Sequence, residues 1–416
     1  MSPAMDRAHL EWPFFDAQHR ALAADADRWA IGALQRLKTE AEIRGSNGLA
    51  PQNDYVEANV DAICRRHVAS LGAAGLLRHC VPARFGGASA HVDSRALCVL
   101  RESLAWHDGL ADFAFAMQGL GAGPIALAVE GKEHPASHWL DEVAHGRAIA
   151  AFALSEPDAG SDVSAIKSRA TRDGDQFVID GCKTWISNGG IADFYCVFVR
   201  TSDEPGPRGI SAFVVPADTA GLTVAQRIEV IAPHPLARLE FDGCRLPASA
   251  MLGNPGDGFK LAMRTLDIFR ASVGAAAVGF ARRALDESTE HARTRRMLGG
   301  TLGERDVARS MLGQMAADID AAALLVYRAA WTRDVKHRRT TKEAAMAKLV
   351  ATELAQRVID DAVQLHGARG VARGECVERL YREIRALRIY EGASEVQQLI
   401  IGRDLLKSHG TNKDIA

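Results

Sequence analysis

Apolar positions recur with two different periods along this chain of 416 residues, and the period changes twice. From about Ala17 to Ala150 the spacing is mostly helical, with breaks at Gly45-Ser46-Asn47-Gly48, Gly86-Gly87 and His134-Pro135. The segment from Gly45 to Asp54 holds few apolar residues and reads as an exposed loop. From about Ala151 to Leu252 short β-rich runs take over: Phe177-Val178-Ile179, Phe194 to Val199, and Ile210 to Val215. Asp173-Gly174, Asp180-Gly181 and Asp242-Gly243 supply turns. Strands that follow one another without intervening helices predict an antiparallel sandwich or barrel, not βαβ units. From Gly258 onward helical stripes return. One runs Phe259, Met263, Leu266, Val273, Ala277, Phe280, Ala284; a second Leu312, Met315, Ile319, Ala322, Val326; a third Ala347, Val350, Leu354, Val358. Three such helices predict an antiparallel bundle. The expected organisation is α+β: an N-terminal helical domain (1–150), a middle antiparallel β domain (151–252) and a C-terminal helical bundle (253–416).

Charge and cysteine content narrow the class. With 50 basic and 52 acidic residues the formal charge is -2, which gives no global pull toward nucleic acid or an anionic membrane. The densest basic cluster, Arg293, Arg295 and Arg296, falls on a predicted helix. Seven cysteines are scattered, odd in number and never in CxxC spacing, which favours free thiols in a reducing compartment over disulfides or a metal site. No apolar run approaches the ~20 residues that span a bilayer. Asp6, Glu11 and Asp16 argue against a transit peptide. A cytoplasmic protein with neither nucleic-acid nor membrane partner is expected.

Two segments carry candidate chemistry. The first, Ala153 to Gly189, opens with a loop from Ser155 to Asp162 that offers hydroxyls and unpaired backbone N–H groups to a polar ligand. Near its end Trp185 stands between Lys183 and Ser187, a flat surface on which a planar ring could stack; taken alone it reads equally as β-core packing. The second segment is Gln364 to Arg403. Here Ser394-Glu395-Val396-Gln397 has capping-box form before Leu399-Ile400-Ile401, which puts Glu391 and Gly392 on a turn at a helix start. A carboxylate there, beside Tyr390 and between apolar helices, can have a raised pKa and act as a general base; a solitary glutamate in that position is otherwise a solvated surface group.

Taken together, ALSEPDAGSD, KTWISNG, QLHGARG and IYEGASE, in this order and at these intervals, resemble the acyl-CoA dehydrogenase family over nearly the whole chain. The resemblance implies a helical domain, a β domain and a C-terminal four-helix bundle around an extended FAD. It places Phe152, Leu154 and Ser155 along the flavin ring with Trp185 and Ser187 on its other side. Ile186, Leu298, Ala393 and Glu395 also count among its cofactor positions. Arg295 matches the arginine that reaches the FAD pyrophosphate of a neighbouring subunit, so a homodimer or homotetramer is implied. Gln364 and Gly367 match the turn at the adenosine side. Ser161, Asp267, Arg270, Tyr390 and Gly392 match acyl-CoA contacts. Glu391 matches the base that removes the α-proton while flavin N5 takes hydride from the β-carbon, giving a trans-2-enoyl-CoA. Electron-transfer flavoprotein is the implied acceptor.

Several positions depart from the family pattern. Leu298-Gly299 replaces an aromatic residue before glycine, Asp306 stands where glutamine is favoured, Ala393 replaces a threonine, and Ala232 to Leu236 is atypical. The helical position that holds the base in some relatives is Phe269, which cannot accept a proton. Ala114 stands where relatives that take dicarboxylic substrates carry arginine. Rival readings are an acyl-CoA oxidase or flavin monooxygenase on the same scaffold, and a catalytically dead relative acting as a binding protein.

Overall fold

The computed structural model describes residues 5–46, 59–129 and 133–410. Helix α1 (Ala17–Ser46) is followed by α2 (Val60–Ala73), α3 (Ser94–His107), α4 (Gly109–Ala128) and α5 (His138–Ala144). The strands come next: β1 (Ala150–Ala153), β2 (Arg169–Asp173), β3 (Gln176–Ser187), β4 (Phe194–Arg200), β5 (Ile210–Pro216), β6 (Leu222–Arg227), β7 (Leu236–Pro247) and β8 (Met251–Leu252). Five helices close the chain: α6 (Gly258–Thr294), α7 (Asp306–Lys336), α8 (Thr341–His366), α9 (Cys376–Leu387) and α10 (Ser394–Gly410). Helical, β and helical blocks thus follow in the expected order. Of the expected loop from Gly45 to Asp54, the first two residues close α1 and 47–54 lie outside the described residues.

The β region forms one eight-stranded sheet in the order β6-β7-β3-β2-β4-β5-β8, with β1 added beside β4. It is mixed, which corrects the expected antiparallel arrangement. Hairpin neighbours such as β2–β3 and β4–β5 pair antiparallel, as short turns require, but β1 and β2 both meet β4 in parallel. The β2–β3 hairpin lies between them in the chain and restores the strand direction. Strands β4 and β5 are buried along nearly their whole length, which is why FYCVFVR and ISAFVVP read as continuous apolar runs. Edge strand β6 is almost entirely exposed and ends on the polar pair Gln226-Arg227.

By compactness the chain groups into two units that cut across these blocks. The first comprises residues 1–31, 94–112 and 270–416; the second comprises 32–93 and 113–269. In the first, Val273, Ala277, Phe280, Met315, Ile319, Val326, Ala347 and Val358 meet in one core, so the three sequence stripes face each other. Full burial of each large apolar side chain contributes roughly 1.5–3 kcal/mol. Phe259, Met263 and Leu266, which extend the first stripe, belong to the second unit and are only partly buried. Within the second unit the sheet packs Phe177 on Phe213 and Phe152 on Phe198.

Two further expectations change. Gly109–Ala128 is long and apolar enough by length and composition to cross a membrane, so an apolar run of that size does exist. However, 83% of its most apolar window is buried within the protein, as for a core helix. Glycine and alanine, weakly apolar residue by residue, add up over α4. The basic cluster also splits: α6 ends at Thr294, which leaves only Arg293 on the helix. All seven cysteines are free thiols, and among the described residues no cluster of His, Cys, Asp and Glu is suited to a metal.

Candidate active site

The second unit contributes a flat aromatic surface and a fixed loop. Strict alternation along β3 would put Lys183 and Trp185 on the same face. Instead Lys183 pairs with Leu239 and Ile186 with Ala237, so β3 spends one residue more than β7 and bulges. Trp185 takes up the bulge with φ 59 and is 60% exposed, while Lys183 is fully buried. The core-packing reading of Trp185 is therefore wrong. The left-handed conformation costs an ordinary residue roughly 1–2 kcal/mol, so this indole is held outward against a local penalty.

Buried groups tie the Ser155 loop to this bulge. Nζ of Lys183 donates to Oε1 of Glu156 at 2.8 Å and to the Leu154 carbonyl at 3.0 Å. Glu156 also accepts from the backbone N–H groups of Lys167 and Ser168, and the Thr184 N–H donates to the Ser155 carbonyl at 3.0 Å. Asn188, left-handed at φ 60, donates to the Ala150 carbonyl at 2.9 Å. Phe152, Leu154, Ser155, Trp185, Ile186 and Ser187 are thus gathered where β1 and β3 end. Ser161 lies further out on the same loop, exposed. Lys183 and Glu156, which the sequence reading did not single out, hold the arrangement together.

The first unit holds the candidate base. Glu391 sits between α9 and α10 at φ 53, followed by Gly392 at φ 91. The residue is half-buried, but its Oε2 is fully buried and makes no hydrogen bond. Burial raises its pKa; Arg101, Arg270 and Lys348 pull it down, and Asp112 pushes it up. Arg101 is itself clamped by Asp112 through two 2.9 Å bonds and donates to the Ser272 hydroxyl at 3.1 Å. Beside them Tyr390 has its phenol pushed up by burial. The expected capping box does not form. Ser394 donates its hydroxyl to Glu353 at 2.5 Å, and Gln397 donates to the carbonyl of Gly392 at 2.8 Å. Ala393 is half-buried at the same turn and Glu395 exposed on α10.

The remaining candidates are placed as follows. Arg295 is exposed just beyond α6. It leads into a hairpin whose two turn residues, Leu298 (φ 48) and Gly299 (φ 78), both have positive φ; Leu298 is 81% exposed where asparagine would be the usual choice. Gln364 is exposed in the last turn of α8, and Gly367 ends that helix at φ 59 with open space where a Cβ would stand. Asp267 is half-buried and Arg270 buried on α6. Phe269 is 3% exposed and packs over two glycines: a Cβ on Gly119 would fall 2.4 Å from its ring, and one on Gly123 3.4 Å away. Of the five ordinary residues with positive φ among the described residues, three are Trp185, Leu298 and Glu391. Strain of this kind gathers at functional sites.

Comparison with known proteins agrees with this geometry. Residues 151–244 match the middle domain of acyl-CoA dehydrogenase and residues 256–406 its C-terminal domain. The human mitochondrial short-chain specific acyl-CoA dehydrogenase is 39% identical over 82% of this chain and 82% of its own sequence. Cyclohexane-1-carbonyl-CoA dehydrogenase of Geobacter metallireducens is 36% identical over 80% of this chain and 87% of its own. The solved structure of butyryl-CoA dehydrogenase from Megasphaera elsdenii superposes with a TM-score of 0.82 at 29% identity, over 94% of this chain and 99% of that one. The chain belongs to the acyl-CoA dehydrogenase family. It is an enzyme, an oxidoreductase of acyl-CoA thioesters.

Proposed function

We propose that this enzyme converts an acyl-CoA to its trans-2-enoyl-CoA, with Glu391 removing the α-proton. The observation that carries this reading is the buried, unpartnered Oε2 of Glu391 on a left-handed turn. An α-C–H beside a thioester is a weak acid. A desolvated carboxylate is a stronger base than a solvated one, and the surrounding cations limit the rise in its pKa. The backbone N–H of Glu391 is the donor offered to the thioester oxygen as charge builds there. By their match to the family's pattern, Arg270, Asp267, Tyr390, Gly392 and Ser161 are the proposed acyl-CoA contacts.

The cofactor is FAD, and the residues fit it: an exposed indole held out of its core, a fixed loop of hydroxyls and backbone groups, and an open glycine at the end of α8. Phe152, Leu154, Ser155, Trp185, Ile186, Ser187, Ala393 and Glu395 would hold its ring end, and Arg295, Leu298, Gln364 and Gly367 the remainder. When bound, it supplies the acceptor for the hydride that leaves the β-carbon. Arg295 and Leu298 project from the chain, which supports a homodimer or homotetramer in which they serve a neighbouring copy. Electron-transfer flavoprotein is the proposed acceptor and the cytoplasm the proposed compartment.

Single-turnover flavin reduction tests the role of Glu391. Glu391→Gln should stay yellow, release FAD on denaturation and bind acyl-CoA, yet reduce its flavin ~10²–10⁴-fold more slowly. Reduction close to the wild-type rate would remove Glu391 from the mechanism.

A further inference from the structure

Lys348 is an ammonium buried in an alanine-rich stretch of α8. It is 0% exposed, and Ala344, Ala345, Ala347 and Ala351 around it in sequence are equally buried. Its Nζ donates to the Gly392 carbonyl at 2.7 Å, one residue beyond Glu391. The same oxygen accepts from Gln397, itself 0% exposed. Further along α8, Glu353 accepts from Arg388 at 2.9 Å and from the Ser394 hydroxyl. One helix therefore grips both ends of the 388–394 turn and keeps Glu391 in its left-handed conformation.

The charged and titratable groups around this turn come from every element packed on it. Arg101 lies on α3, Asp112 on α4, Arg270 on α6, Lys348 and Glu353 on α8; Glu383 and Glu395 flank the turn and Tyr390 lies within it. Arg101 pulls most strongly on Glu391, ahead of Arg270 and Lys348, while its two-bond clamp ties it to Asp112. Lys348 instead donates its hydrogen bond to a neutral carbonyl and makes no ion pair among the described residues. Its charge adds to those of Arg101 and Arg270 at the buried Glu391 carboxyl.

We infer that Lys348 is a positioning residue of this site: it fixes the Glu391 turn through the Gly392 carbonyl and joins Arg101 and Arg270 in favouring the ionised, proton-accepting form of the Glu391 carboxyl. This rests on the assignment of Glu391 as the base. Electrostatics runs in the same direction. Burial pushes Lys348 down to about 8, with Glu391 opposing that fall; burial pushes Glu391 up, with Lys348 opposing that rise.

The test is the pH dependence of single-turnover flavin reduction in the FAD-loaded enzyme, with flavin content and thermal unfolding recorded for each variant. Lys348→Gln keeps a donor for the carbonyl but loses the charge. Its acid limb should move to higher pH, with ~10-fold slower reduction at a fixed acidic pH and recovery toward the wild-type rate in alkali. Lys348→Met loses both functions and should remain slow in alkali as well, with acyl-CoA affinity little changed. Lys348→Arg should keep the wild-type acid limb. An unmoved limb in Lys348→Gln overturns the inference, and so does a displaced limb in Lys348→Arg, which serves if the glutamine variant does not fold. Glu391→Gln is measured alongside. A wild-type rate there rejects the base assignment itself, whereas a slow Glu391→Gln with an unmoved Lys348→Gln limb rejects only the role of Lys348.

Discussion

Nζ of Lys183 lies 2.8 Å from Oε1 of Glu156, with side chains 0% and 7% exposed. The pair joins the two motifs that frame the Trp185 bulge, so its loss is expected to lower both stability and flavin retention. Lys183→Met leaves Glu156 buried without its counter-charge, a change that typically costs about 3–5 kcal/mol. The variant should unfold at clearly lower temperature and lose flavin on gel filtration. Unchanged melting and full flavin content would show the pair to be dispensable.

A second buried carboxylate anchors the N-terminal segment. Glu102 is 0% exposed and accepts from Arg282 at 2.8 Å and from the Tyr327 hydroxyl, with His9 Nε2 3.1 Å away. Burial alone would raise its pKa, but the proximity of His9 and Arg282 and the bonds from Arg282 and Tyr327 outweigh it and hold the carboxyl well below the usual range. Its folded pKa is depressed, so its contribution to stability is fully present above the unfolded value near 4.5 and declines as pH falls below that. In urea unfolding, the gap between wild type and Glu102→Gln should be constant from neutral pH down to mild acid, then narrow. A gap that widens in acid would reverse the sign of this argument.

The acyl group should be uncharged. Ala114 is fully buried and offers only a methyl group, and the nearby-in-sequence Arg101 already gives two hydrogen bonds to Asp112. A substrate carboxylate left without a partner in apolar surroundings costs several kcal/mol. Butyryl-, isobutyryl- or hexanoyl-CoA should therefore exceed glutaryl-CoA in kcat/KM by ~100-fold or more, since ~3 kcal/mol corresponds to that ratio. Steady-state assays with an artificial electron acceptor decide it, and faster turnover of glutaryl-CoA would refute it.

Much of this fold is legible in the chain because local period and burial agree. Val273, Ala277 and Phe280 face the core as a period of 3.6 requires, and FYCVFVR is a strand buried on both faces. Other features depend on partners far away in sequence. The bulge that turns Trp185 outward arises from pairing with Leu239 and Ala237 on β7, and the parallel partnership of β1 with β4 has no local signature. A lysine within a helix reads as a solvated group; only the Gly392 carbonyl, 44 residues further on, accounts for the burial of Lys348. Ser394 has the form of a helix cap, but Glu353 on another helix takes its hydroxyl.

The slot that Phe269 fills over Gly119 and Gly123 closes one evolutionary route. Here a glutamate at 269 alone would leave a ring-sized void above two glycines that provide no donor side chain. The carboxylate would be stranded rather than installed. Moving the base would therefore take concerted change at the helix, at the glycines beneath it and at the turn. With Glu391 as the proposed base, each single step would lose function before the next could restore it.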